Sequence, residues 1–134
     1  MSDLSQTADD LLQLAIEMSR RAHAPYSGFQ VGCVIIDDNG NIFTGCNVEN
    51  ASLGLTMCAE RVATGTAIAN GAQTFKRIII ASSDAVSPCG ACRQVLSEFS
   101  HKETVITQID LEGGSRSDHL LESLIPHQFQ LRKI

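Results

Sequence analysis

Arg77-Ile78-Ile79-Ile80-Ala81 decides the architecture. It is a short apolar run dominated by β-branched residues, with no polar residue at alternate positions. A strand that faces water on one side alternates apolar and polar, whereas one covered on both faces does not. The run therefore predicts a central strand with helices above and below. Upstream, Val31 to Asp37 is a second β-branched run, Asp38-Asn39-Gly40 is a turn signal, and Ile42 to Val48 returns as a further strand. That pair predicts an antiparallel hairpin. Ala8 to Ala22 reads as an amphipathic helix, with Leu11, Leu12, Ala15, Ile16 and Ser19 at helical spacing, broken by Ala24-Pro25-Tyr26-Ser27-Gly28. Arg61 to Asn70 is Ala-rich and helical, with Gly71 as its stop. Cys92 to Phe99 is a helix, Thr104 to Ile109 a strand, and Leu120 to Leu124 a short helix ended by Pro126. A helix between the third and fourth strands implies a crossover and at least one parallel pair. The expected fold is α/β, a three-layer α/β/α arrangement with a mixed sheet.

The 134 residues fit one domain, 1–134, with a core of useful size. Hydrophobic residues make up 43% and charged residues 19%, as in ordinary globular proteins. The net charge of -5 argues against a nucleic-acid partner, because polyanions call for a basic patch. The basic pair near the end of the sequence, Arg132-Lys133, is read as a solvated tail. Met1 to Asp10 is polar and acidic, without the basic and apolar regions of a leader, and no apolar run reaches membrane-spanning length. A cytoplasmic setting is expected, where thiols stay reduced. Five cysteines, an odd number, fit a disulfide framework poorly.

Cys58-Ala59-Glu60 and Pro88-Cys89-Gly90-Ala91-Cys92 carry the chemistry. Structural zinc takes four protein ligands, while a catalytic zinc takes three and leaves a position for water. Three grouped cysteines point to the second case. Cys89 and Cys92 share a face if they lie on the first turn of a helix. Pro88 suits the position before that turn. Cys58 opens another helix, so two helix N-termini would face each other across the ligands. Three thiolates and Zn²⁺ sum to a charge of -1, which helix N-termini offset. Arg61, three residues after Cys58, is placed to compensate the thiolates. Glu60 can share a pocket with Cys58 only if Cys58 sits at or just before the first turn. It could then take a proton from water and return it to a leaving group. A bare Cys-x-x-Cys also occurs in redox pairs and zinc fingers. A redox pair leaves Cys58 and Glu60 without a task, and His101 and His119 are not spaced as a further ligand pair. Cys33 and Cys46 read as packing residues in strands.

Cys58-Ala59-Glu60-Arg61 together with Pro88-Cys89-Gly90-Ala91-Cys92-Arg93-Gln94 resembles the cytidine deaminase family in its small, all-cysteine form. Ala24 to Gly32 resembles the family's first loop and strand. Asn47-Val48-Glu49-Asn50-Ala51 resembles its nucleoside-binding segment, and Leu124-Ile125-Pro126 with Phe129 its C-terminal piece. The resemblance implies a mixed sheet of about five strands, one more than the four read above. It implies one Zn²⁺ per subunit on Cys58, Cys89 and Cys92, with Glu60 shuttling a proton to N3 and to the leaving amine. Asn47 and Glu49 would hold the ribose hydroxyls, although turn chemistry alone could place an Asn there. Ala59 would offer backbone groups to the base. Phe29 would pack against the pyrimidine, although from the residues alone core is the better reading. Phe129 would approach a neighbouring subunit in a homotetramer. The implied reaction is hydrolytic deamination of cytidine and 2′-deoxycytidine, serving pyrimidine salvage. Leu53 stands where the family commonly has Tyr, which bears on substrate detail and subunit contact. It keeps open an N4-modified cytosine nucleoside of the blasticidin type. A non-catalytic zinc-stabilised binding module is the alternative from another class, but it leaves Glu60, Asn47 and Glu49 without a joint purpose.

Overall fold

A computed structural model describes residues 8–134. In chain order the elements are α1 (Ala8–Ser19), β1 (Gly32–Asp37), β2 (Ile42–Cys46), α2 (Ala59–Ala69), β3 (Phe75–Ser82), α3 (Gly90–Glu98), β4 (Ser100–Asp110), β5 (Arg116–Leu120) and α4 (Leu121–Leu124). The strands form one sheet in the order β2-β1-β3-β4-β5. β3 and β4 are parallel, joined through α3, and the other neighbours are antiparallel. The mixed sheet and the β1–β2 hairpin agree with the sequence reading.

Period-two geometry sends successive side chains to opposite faces. Cys33, Ile35, Ile78, Ile80 and Ile106 face one side and pack with Ala59, Ala63 and Ala67 of α2, Leu96 of α3 and Leu121 of α4. Val34, Ile36, Ile79, Ala81 and Ile109 face the other and pack with Leu12 and Ala15 of α1. Every residue of β1 is buried. Apolar side chains of this size stabilise by about 1.5–3 kcal/mol each when fully buried, so both helix layers are held by the same three central strands.

Two glycines set the spacing of the layers. A Cβ on Gly32 would lie 2.1 Å from the Ala15 carbonyl oxygen and 2.5 Å from the Ser19 nitrogen. A Cβ on Gly45 would lie 2.5 Å from the Ala63 nitrogen and 2.7 Å from the Ala59 oxygen. Both close approaches are to helix backbone, so α1 seats on β1 and α2 on β2 only because no side chain intervenes.

Several boundaries differ from the sequence reading. α1 ends at Ser19 rather than Ala22; the Ser19 hydroxyl donates to the Ile16 carbonyl (2.6 Å) and Arg20 to Ala22 continue as turns. β2 ends at Cys46, because Asn47 leaves the sheet to hydrogen-bond the loop before β1. α2 and α3 each begin two residues earlier than read, at Ala59 and Gly90. β5 has no counterpart among the elements expected from sequence, and Leu120 belongs to it rather than to the final helix. Met1 to Thr7, part of the acidic N-terminal stretch, lie outside the described residues. Among the described residues no helix is long and apolar enough to cross a membrane.

Candidate metal centre and its cavity

Cys58 and Cys89 occupy equivalent positions. Each is the residue before a helix, with extended backbone (φ −70°, ψ 152° and φ −67°, ψ 167°). Each carbonyl accepts an early helical N–H: Cys58 from Arg61 (3.0 Å) and Val62 (3.1 Å), Cys89 from Arg93 (3.0 Å). Cys92 follows on the first turn of α3 and is buried. The chain therefore brings two helix N-termini together, where backbone N–H groups and the helix dipole favour anionic sulfur.

The three sulfurs all lie within 4.8 Å of one another. Zinc–sulfur bonds of about 2.3 Å in tetrahedral geometry need sulfurs about 3.8 Å apart. The cluster fits such an ion with little movement, and soft thiolates suit zinc. Among the described residues no histidine completes the set; His101 instead pairs with Asp38 (3.1 Å) at the start of β4. Arg61 Nη2 donates to Cys58 Sγ (3.2 Å), while its Nε is buried without a partner among the described residues. Hydrogen bonding to Cys58, against the cost of burial, raises the proton affinity of the guanidinium, so a fixed positive charge faces the sulfurs.

The thiols titrate unequally. Burial would raise Cys89, but the N–H groups of Cys92 and Ala91 and the neighbouring thiols outweigh it and hold it below the ordinary value. Burial, then the charges of Glu60 and Cys58, push Cys92 well up. Cys92 thus keeps its proton until a cation displaces it, and metal binding releases protons.

Beside the cluster lies a cavity of about 250 Å³ lined by Phe29, Asn47, Glu49, Cys58, Glu60 and Cys89, with Ala59, Val31, Thr56, Ile80, Val86 and Ser87 completing its wall. Its size is just below the range of about 300 Å³ at which pockets for drug-sized ligands begin. A larger groove of about 660 Å³, lined in part by His101, Lys102, Glu122 and His127, holds none of the cysteines. The smaller cavity is the candidate site, because it joins apolar walls to the cysteine cluster and a buried carboxyl.

Glu60 is only 5% exposed, and burial raises its proton affinity against the opposing effects of its own backbone N–H and Arg61. Asn47, also in the lining, is 7% exposed. Its Oδ1 accepts from the Val31 N–H (2.9 Å) and its Nδ2 donates to the Phe29 carbonyl (2.7 Å), leaving one amide hydrogen and one lone pair for a ligand. Glu49 accepts from the Tyr26 N–H (2.9 Å), the Ser27 N–H (3.2 Å) and the Ser27 hydroxyl. The Ser27 bond leads the causes that hold the carboxyl below its ordinary range. Phe29 is 39% exposed at the cavity wall, so the reading of it as core fails. Leu53 (68% exposed) and Phe129 (69% exposed) are not in the wall. Thr56, Val86 and Ser87 were not singled out in the sequence. They sit in irregular connections that carry no periodic signal, although Ser87 adjoins the Pro88-Cys89 motif.

A family model described as the cytidine and deoxycytidylate deaminase zinc-binding region matches residues 5–108. The chain is 46% identical over 103 residues to a probable cytidine deaminase of Dictyostelium discoideum, covering 75% of this chain and 70% of that protein. It is 41% identical over 111 residues to a cytidine deaminase of Sporosarcina psychrophila, covering 81% of each. The crystal structure of cytidine deaminase from Burkholderia pseudomallei superposes with a TM-score of 0.86 at 36% identity, covering 92% of this chain and all of that one. Cys58, Cys89 and Cys92 all fall inside the matched zinc-binding region, and the chain belongs to the cytidine and deoxycytidylate deaminase family.

Proposed function

We propose that residues 1–134 act as one catalytic domain that hydrolyses the exocyclic amine from cytidine and 2′-deoxycytidine, with one zinc per subunit held by Cys58, Cys89 and Cys92. The observation that carries this reading is the cavity itself, whose lining brings buried Glu60 and two of the clustered thiols, Cys58 and Cys89, together with Asn47 and Glu49. A nucleoside calls for both sets, a reacting centre for its base and hydrogen-bonding groups for its sugar. The names of the relatives support the same substrate class.

Bound zinc would supply an acidified water as the nucleophile. Glu60 does the proton work. Its raised proton affinity would let it take one proton from the attacking water and pass it to N3, then take the second from the new C4 hydroxyl and pass it to the departing amine. Arg61 keeps the thiolate charge in check, so that the site stays electrophilic. Ala59 presents backbone to the base, and Phe29 covers one ring face. Asn47, pinned by two backbone contacts, and ionised Glu49 receive the sugar hydroxyls.

We further propose that the protein is a homotetramer in the cytosol, serving pyrimidine salvage. The exposure of Leu53, Leu55, Phe129 and Leu131 supports a subunit contact, and reduced thiol ligands suit that compartment. Sedimentation at micromolar concentration gives the assembly; a monomer overturns it. The activity is tested by the fall in cytidine absorbance on zinc-loaded protein. Turnover of cytidine supports the reading. Turnover only of N4-modified cytosine nucleosides, or only of single-stranded oligonucleotides, overturns the stated substrate.

A further inference from the structure

The three thiols are not equally secured. Cys92 is buried on α3, and Cys58 receives the Arg61 guanidinium. Cys89 is exposed and ends an irregular connection that begins after β3, in which Asp84 and Ala85 hold positive φ (64° and 48°). One anchor of that connection is the Val86 N–H on the Ser82 hydroxyl (3.1 Å). Asp110 Oδ1 accepts from the Asp84 N–H (3.0 Å) and Gln108 Nε2 donates to the Ala85 carbonyl (3.0 Å), whereas the two residues before Cys89 are held by a single side chain. Arg93 Nε donates to the Pro88 carbonyl (2.8 Å), Nη2 to the Ser87 hydroxyl (2.9 Å) and Nη1 to the Leu124 carbonyl (2.7 Å). Leu124 closes α4, whose Leu121 is buried in the core. A planar guanidinium holds its donors in a rigid fork that spans separated acceptors, whereas an ammonium's three donors radiate from one freely rotating nitrogen.

We propose that Arg93 is the positioning residue of the Cys89 thiolate. It reaches back over the start of α3, grips the two residues before Cys89 and fastens them to α4, so that the most exposed ligand keeps its place when the metal site opens and closes. This inference rests on the reading of Cys58, Cys89 and Cys92 as the metal ligands. Partners one shell out from a metal typically set affinity by about 10–100-fold.

Cobalt(II) is the probe, because its thiolate charge-transfer absorption reports coordinated sulfur directly. The full-length protein is loaded with Co²⁺, and the decay of that band is followed after addition of excess chelator. Arg93→Met is expected to release the ion roughly 10–100-fold faster than the wild type. Arg93→Lys should lie between them, and Ser87→Ala, which loses one contact of three, should be closer to the wild type. Ile109→Val, a core truncation on the opposite face of the sheet, serves as the control for general destabilisation and should release at the wild-type rate. Release from Arg93→Met within twofold of wild type overturns the inference, as does equally fast release from Ile109→Val. If Arg93→Met does not fold, Arg93→Lys decides by the same criterion. A wild-type protein that binds Co²⁺ without the thiolate band overturns the metal reading itself, and this inference with it.

Discussion

A carboxyl that is buried and slow to ionise is poised to carry a proton, and Glu60 is the buried acid of the cavity. Glu60→Gln keeps the shape and loses that function. Turnover is expected to fall by roughly 10²–10⁴-fold, while zinc per chain, measured by elemental analysis, stays at the wild-type level. A fully active Glu60→Gln protein would remove Glu60 from the mechanism. Glu49 poses the opposite case, since hydrogen bonds from Ser27 and Tyr26 stabilise its ionised form. The folded chain binds this proton less tightly than the unfolded one. Its stabilisation is therefore complete above the ordinary value of 4.5 and is lost as pH falls through the lower folded-state value. Denaturant midpoints of wild type and Glu49→Gln should differ at neutral pH and converge in acid. A gap that widens in acid would contradict the assignment. If Glu49 receives the sugar as proposed, the same variant should also lower kcat/KM for cytidine, by roughly tenfold or more.

Between the elements, the placement of Cys58 and Glu60 depends on how closely α2 lies on β2. Gly45→Ala would force its new methyl against the backbone of Ala59 and Ala63. Overpacking of this kind costs about 1–3 kcal/mol, and urea denaturation should show it. Gly54→Ala, with nothing within 4 Å of the new atom, should be neutral. Equal stability of the two variants would mean that the α2–β2 contact yields easily. The sheet also shows what a sequence can and cannot disclose. β1, β3 and β4 were legible because burial on both faces leaves unbroken β-branched runs. β5 was not, because all five of its residues are exposed at the sheet edge, where nothing enforces a pattern. The starts of α2 and α3 were read late because their first positions are set by cysteines outside the helical period. The cysteines, Glu60 and Arg61 were legible from spacing within one or two turns. Arg93 was not, since its partners Ser87 and Leu124 meet it only after the chain has closed.

For the whole molecule, the metal would join parts of the chain that are distant in sequence. Cys58 opens α2 and Cys89 opens α3, with β3 between them, so an ion bound to both clips the two helices of one layer to each other. An unfolded chain does not present the three sulfurs together, so binding energy adds to folding energy. A ligand at a hundred times its Kd stabilises by about 2.7 kcal/mol, and zinc held by thiolates should exceed that at micromolar concentration. For a domain of this size such a gain corresponds to roughly 10 °C in melting temperature. Chelation should therefore lower the wild-type melting temperature by at least that amount, and added Zn²⁺ should restore it. Cys89→Ala removes one clip and should melt near the chelated wild type whether or not zinc is supplied. If chelated and zinc-loaded wild type melt together, the three sulfurs are not a shared ligand set. A wild type that responds while Cys89→Ala responds equally would place the ion elsewhere in the chain.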